Sequence, residues 1–258
     1  MLSNRSFLEH EIPYRQLEML GISKKEFMAA NRDILKTIMQ GGFSPLLKMN
    51  MEANGKTYHF LAKIRLEREP KGGVTLGILP LRTNTPKDKE LKLDDEEMEH
   101  LRKGLILKKN VYHDSKKITY YAQLDGETNS ILKVKARDIA IPSVVKDVDV
   151  SKQQRDEIRE GVPVELDSDG TVYTIGIDLL QPNGLQVIQG TEDDWNKLVA
   201  REWDRINPGE IGFWLTDENG WEYMELQESK LQDIDLQYDI DEDITDSLEE
   251  DRYSGLKL

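Results

Sequence analysis

The sequence predicts an α+β fold made of four units, each a helix followed by a small antiparallel β-meander. Three observations predict it. Capping-box signatures recur ahead of helical apolar spacings. A glycine ends each helical stretch, where left-handed backbone closes a helix. Alternating runs split by turn residues then follow. The clearest pair is Leu91–Gly104 and Val148–Gly161, which align residue on residue. Both begin apolar-x-apolar. Both carry a box, Asp94 with Glu97 and Ser151 with Gln154, and both reach glycine ten residues after the box opens.

The first unit is expected over residues 1–88. Pro13 suits a first helical turn, Leu17, Met19 and Leu20 follow, and Gly21 stops the helix. Ser23-Lys-Lys-Glu26 opens a second helical pattern through Phe27, Ile34, Leu35 and Ile38, broken near Asn31 and ended at Gly41-Gly42. Strands are expected at Leu46–Met51, Tyr58–Leu66 and Val74–Leu81, turned at Asn54-Gly55 and Lys71-Gly72-Gly73. In the second strand Tyr58, Phe60, Ala62, Ile64 and Leu66 share one face, while His59, Leu61, Lys63 and Arg65 share the other. Thr83–Glu90 is polar, contains Pro86 and reads as a linker.

The second unit takes residues 89–147, with strands at Leu105–Val111, Ile118–Leu124 and Ile131–Val134, and turns at His113–Lys116 and Glu127-Thr128-Asn129. The third takes 148–190. Val164–Leu166, the alternating Tyr173, Ile175, Ile177 and Leu179, and Leu185–Ile188 form its strands, turned at Asp167–Gly170 and Pro182-Asn183-Gly184. The fourth, 191–228, is diverged and rich in tryptophan. Thr191 and Asp194 resemble a box, Trp195, Leu198, Val199 and Trp203 a helix ending near Asn207-Pro208-Gly209, and two strands lie about Asp217–Gly220. Residues 229–258 are acidic, lack periodicity and are expected to form a mobile tail. One such unit cannot bury its own apolar face, so the units must pack together or pool strands. The pattern does not choose between these, and the oligomeric state is equally open.

Composition narrows the class. The chain has 258 residues, 38% hydrophobic, and no cysteine, so disulfides and thiolate metal sites are excluded. No apolar run approaches a membrane span, and Leu2–Glu9 is too polar for a signal peptide, so a cytoplasmic protein without membrane contact is expected. The net charge of −14 is uneven. Residues 1–90 hold 15 Lys/Arg against 10 Asp/Glu, whereas residues 151–258 hold 9 against 28.

Candidate chemistry is sparse. Asp239, Asp241, Asp243 and Glu250 match part of a calcium-loop spacing, but Ile244 stands where that loop needs glycine. The four histidines, His10, His59, His100 and His113, are not spaced as ligands on one helix face. Asp94–Glu97 is a carboxylate cluster at a helix start, which the helix dipole explains. Lys71–Gly77 matches neither a phosphate loop nor a dinucleotide fingerprint. No catalytic, cofactor or metal residue is therefore assigned, and no enzyme is expected. Lys48, His59, Lys63, Arg65 and Arg68 could line a basic stripe on the first sheet and follow phosphates. An ordinary solvated face accounts for them as well. All four tryptophans lie in the fourth unit. Trp214 and Trp221 are candidate protein-binding residues, since tryptophan anchors interfaces, although a local core would also use them.

The segment Ile12-Pro13-Tyr14-Arg-Gln-Leu17-Glu-Met-Leu20-Gly21-Ile22 resembles the opening of family 4099 of the domains of unknown function. Tyr121-Ala-Gln-Leu-Asp125-Gly-Glu-Thr128-Asn129, Ile139-Ala-Ile141-Pro142 and the unit from Val148 resemble its companion repeat, family 3945. The resemblance spans roughly residues 10–190, departing at Gly126. It implies a protein of Bacteroides-type mobile elements or phage, and it carries no catalytic residues. The expectation is a non-enzymatic binding or adaptor module with a protein partner and no cofactor. The alternative is a nucleic-acid-handling accessory protein that uses the basic first sheet.

Overall fold

A computed structural model describes residues 6–204 and 212–225, apart from positions 54, 70, 71, 83, 84, 86 and 114. A 3-10 turn at Glu9–Glu11 leads into helices α1 (Tyr14–Met19), α2 (Lys24–Met28) and α3 (Arg32–Met39). Ser23 caps α2, accepting from the Glu26 N–H at 3.2 Å, and Glu26 accepts from the Ser23 N–H at 2.6 Å. Asn31 then accepts from the Ile34 N–H at 2.9 Å and starts α3 as a separate helix. This is the physical cause of the broken spacing. Strands β1 (Leu47–Ala53), β2 (Lys56–Arg68) and β3 (Val74–Pro80) follow as an antiparallel meander. Phe60, Ala62, Ile64 and Leu66 of β2 enter a core with Leu17, Phe27 and Ile38 from the three helices.

Helix α4 (Asp95–Arg102) precedes β4 (Leu107–His113), β5 (Lys116–Asp125) and β6 (Ser130–Lys135). Its cap is reciprocal: Asp94 accepts from the Glu97 N–H at 2.8 Å, and Glu97 from the Asp94 N–H at 3.0 Å. The acids of Asp94–Glu97 are thus helix-start residues. A two-strand ladder, β7 (Val144–Val145) with β8 (Val148–Asp149), comes next. Its turn residues Lys146 and Asp147 hold φ of 49° and 64°, a primed turn without glycine that the sequence pattern did not reveal.

Helix α5 (Lys152–Arg159), boxed by Ser151 and Gln154, precedes β9 (Val164–Ser168), β10 (Thr171–Ile177) and β11 (Leu185–Gln189). Gly104 after α4 and Gly161 after α5 sit at φ of +75° and +87°, as helix-closing glycines require. Each of these two sheets keeps its sequence-middle strand in the centre.

The last described elements are α6 (Glu192–Asp204), β12 (Gly212–Asp217) and β13 (Gly220–Glu225). The two strands do not form a sheet of their own. They extend the first one, in the order β13-β12-β1-β2-β3, with β12 parallel to β1 and Trp214 opposite Leu47. The Trp214 N–H donates to Leu46 O at 2.8 Å.

The fold is α+β, and its cores join the segments. One face of the β4–β6 sheet packs under α4 through Leu101, Tyr120, Ala122 and Leu124. The other meets the β9–β11 sheet, where Tyr121 and Leu132 pack with Leu166, Ile175 and Ile177, and Phe43 and Leu79 reach in from the first segment. Helix α6 lays Trp195 on Gly176 of β10. A Cβ at Gly176 would come within 2.6 Å of the indole, so glycine is needed for this close approach. Gly176→Ala is expected to lower stability by about 1–3 kcal/mol through overpacking, read by urea unfolding of the full chain.

Candidate functional site

Strand β5 shows two unlike faces. Ile118, Tyr120, Ala122 and Leu124 turn towards α4, whereas the opposite face runs Thr119, Tyr121, Gln123 and Asp125. Polar side chains at the far end of a buried strand need partners, because an unpaired buried polar group costs about 1–3 kcal/mol. They find them on the neighbouring segments. Lys63 of β2, only 7% exposed, donates to Asp125 Oδ1 at 3.0 Å and reaches Glu127 Oε2 at 2.6 Å. Asp125 Oδ1 also accepts from the Glu127 N–H at 3.2 Å, and Oδ2 accepts from the Thr128 hydroxyl at 2.8 Å. On the third segment, the Leu179 N–H donates to Gln123 Oε1 at 2.6 Å, and Gln123 Nε2 donates to Asp178 Oδ1 at 3.2 Å. The β5–β6 turn is also tied to the end of β3: the Arg82 N–H donates to Thr128 O at 3.0 Å, and Asn129 Nδ2 to Arg82 O at 2.8 Å.

The charges follow from this packing. Burial works against the Lys63 ammonium, but Asp125 and Glu127 outweigh it and raise its pKa, so it stays protonated. Burial raises the pKa of Asp178, with a further push from the Asp125 carboxylate, against the N–H groups of Leu180, Gln181 and Gln123 that favour its charged form. Each oxygen of Asp125 accepts a hydrogen bond, and the junction fastens three segments.

A second cluster holds the stretch read as a linker. Lys133 of β6 lies 2.8 Å from Asp88 Oδ2 and 2.7 Å from Glu90 Oε2. Tyr120 donates to Glu90 at 2.6 Å, and His113 Nε2 lies 3.0 Å from the same carboxylate. Hydrogen bonds from Lys133, then Tyr120, take the Glu90 pKa down to about 2. Residues 88–90 are therefore a latch onto the second sheet and not a free linker.

The proposed basic stripe is not continuous. Lys48, His59, Lys63 and Arg65 share the outer face of β1 and β2, but Arg68 differs in parity and belongs to the opposite face. Lys63 is buried in the junction. Arg65 donates to Glu67 at 2.6 Å and stacks 4.7 Å over Phe43. Arg68 grips Glu11 at 2.8 and 3.3 Å and covers Phe7, and His59 meets Asn50 at 2.7 Å. Lys48 stands half-buried across from Leu61. Trp214 and Trp221 pack partly buried on the first core, and Trp221 Nε1 donates to Glu26 O at 2.9 Å. The Trp203 side chain, the calcium-like spacing Asp239–Glu250 and the acidic tail lie outside the described residues.

The junction residues Gln123, Asp125, Thr128 and Asp178 were not singled out for this role from sequence. One signal for them existed, since Gln123 and Asp125 replace apolar residues on one face of an otherwise buried strand.

Two outcomes follow. Lys63→Met should destabilise the chain by about 3–5 kcal/mol, because Asp125 is left buried without its cationic partner. Adding Asp125→Leu should recover much of that loss in urea unfolding. For Glu90, whose folded pKa lies below its usual 4.5, the stabilisation is present above that value and is lost as pH falls towards about 2. Lys133→Ala should flatten this acid limb in a pH series of thermal melts.

Residues 7–90 match a family described as "Protein of unknown function (DUF4099)", a span that covers the three opening helices, β1–β3 and the latch acids. No curated protein and no solved structure matches the chain.

Proposed function

We propose that the chain is a non-enzymatic binding or adaptor module of a mobile genetic element or phage, working in the cytoplasm on a protein partner. The family match at residues 7–90 supports the N-terminal half of the resemblance from which that setting is drawn. The segments 91–147 and 148–190 are read as two copies of the family 3945 repeat. In support, each has an eight-residue boxed helix, a left-handed glycine and a three-stranded meander.

The observation that carries the protein-partner reading is the outermost strand of the five-stranded sheet. Among the described residues no strand pairs with the outer edge of β13. That strand holds Tyr223 half exposed, edge-to-face against Trp214 at 5.7 Å. An open edge with a propped aromatic suits strand addition by a partner, in which main-chain hydrogen bonds supply affinity and side-chain contacts supply choice. Here Trp214 supports the contact and Trp221, anchored to α2, fixes the hairpin. Binding of nucleic acid through Lys48, His59, Lys63, Arg65 and Arg68 is the second reading. It has weaker support, because four of the five already hold partners.

The test is affinity capture from the native host with mass spectrometry, with and without nuclease, using the wild type and Tyr223→Asp. The reading expects a protein that survives nuclease and is lost with Tyr223→Asp. Capture that disappears with nuclease would refute it.

A further inference from the structure

Strands β4 and β5 run past the second core as a ribbon whose free face has a distinct make-up. Lys108, Asn110 and Tyr112 alternate along β4. Tyr112 lies opposite Lys117, and Asn110 opposite Thr119, so these five side chains share one face. The other face of the same ribbon carries Val111 and Ile118, which pack towards α4. Tyr112 is 69% exposed, and Lys116 and Lys117 at the turn are exposed too. The Thr119 hydroxyl donates to Asn110 Oδ1 at 2.8 Å, which braces the two strands beneath the ring.

The ribbon is locally basic, unlike the acidic residues 151–258. Residues 107–119 hold four lysines, Lys108, Lys109, Lys116 and Lys117, and one acid, Asp114, which lies outside the described residues. Lys109 and Lys116 lie on the other face, where Lys109 binds Glu97, which leaves Lys108 and Lys117 beside Tyr112. Lys108 pairs with Glu160 at 2.6 Å, and that glutamate is 67% exposed. An exposed pair of this kind contributes little, so a phosphate can take the place of the carboxylate. From Lys108 to Tyr112 the strand covers about 13 Å, room for more than one nucleotide.

We propose that this face of the β4–β5 ribbon binds single-stranded nucleic acid, with a base stacked on Tyr112 and the backbone phosphates held by Lys117 and Lys108. Lysines flanking an exposed ring match the pairing of cationic groove and stacking platform that sequence-tolerant single-strand binders use. The binding does not depend on the β13 edge, so an adaptor could hold a protein and a strand at once.

The experiment is fluorescence anisotropy of labelled dT20, U20 and a duplex of the same length titrated with the full chain at low and moderate salt. The wild type should bind at low salt and weaken steeply as salt rises. Tyr112→Ala should weaken binding on the order of tenfold with an unchanged salt slope. Lys108→Glu with Lys117→Glu should weaken it further and reduce the slope by roughly 1.4. Lys56→Glu, an equal charge change per residue on the β1–β2 hairpin, should have a smaller effect. Far-UV circular dichroism checks that the surface variants fold. Failure of the wild type to bind at low salt would overturn the proposal. So would affinity untouched by the ribbon variants, or a preference for duplex over single strands.

Discussion

A lysine and an aspartate removed from water hold this molecule's segments in one arrangement. Burying either charge alone is costly, and their attraction offsets that only when the remaining hydrogen-bonding capacity is also filled. Thr128 and the Glu127 N–H fill it for Asp125, and Glu127 completes the shell of Lys63. The constraint then spreads. Gln123 is placed two residues from Asp125 on the same strand face, so fixing one fixes the other, and Gln123 carries the register to Asp178 and Leu179. An apolar interface tolerates sliding, whereas a polar junction with directional bonds specifies one alignment.

Around this junction the hydrophobic cores divide the work. The first core is nearly self-contained, with helices α1–α3 on one face of the first sheet. The second is shared among three stretches of chain, which is why neither the second nor the third meander is expected to be stable by itself. The outer surfaces differ in character: among the described residues β13 ends the first sheet with an exposed Tyr223, and the β4–β5 ribbon carries the exposed Tyr112 beside Lys117.

Much of the local architecture was legible. Capping boxes at Ser23, Asp94 and Ser151 located helix starts, because the side-chain bonds that satisfy free N–H groups are encoded within four residues. Glycines at 104 and 161 located the ends for a similar reason. The break at Asn31 was legible because asparagine caps better than it continues. The joining of β12 to β1 was not, since strand pairing across the chain leaves no local mark. The role of Lys63 was hidden for a related reason. Alternation assigns a side chain to a face, but it does not say whether another segment covers that face. The β7–β8 turn escaped because Lys146 and Asp147 adopt left-handed backbone without the glycine that usually signals it.

The late position of β12 and β13 bears on how the chain is made. Trp221 reaches Glu26 across 195 positions of sequence. During synthesis from the N-terminus, β1 must wait with that side unpaired until β12 has also left the ribosome. Closing so long a loop is entropically costly and slow compared with forming the local meanders. The nascent first sheet therefore passes through a period with an exposed edge, during which another copy or a chaperone could occupy it before the β12–β13 hairpin arrives.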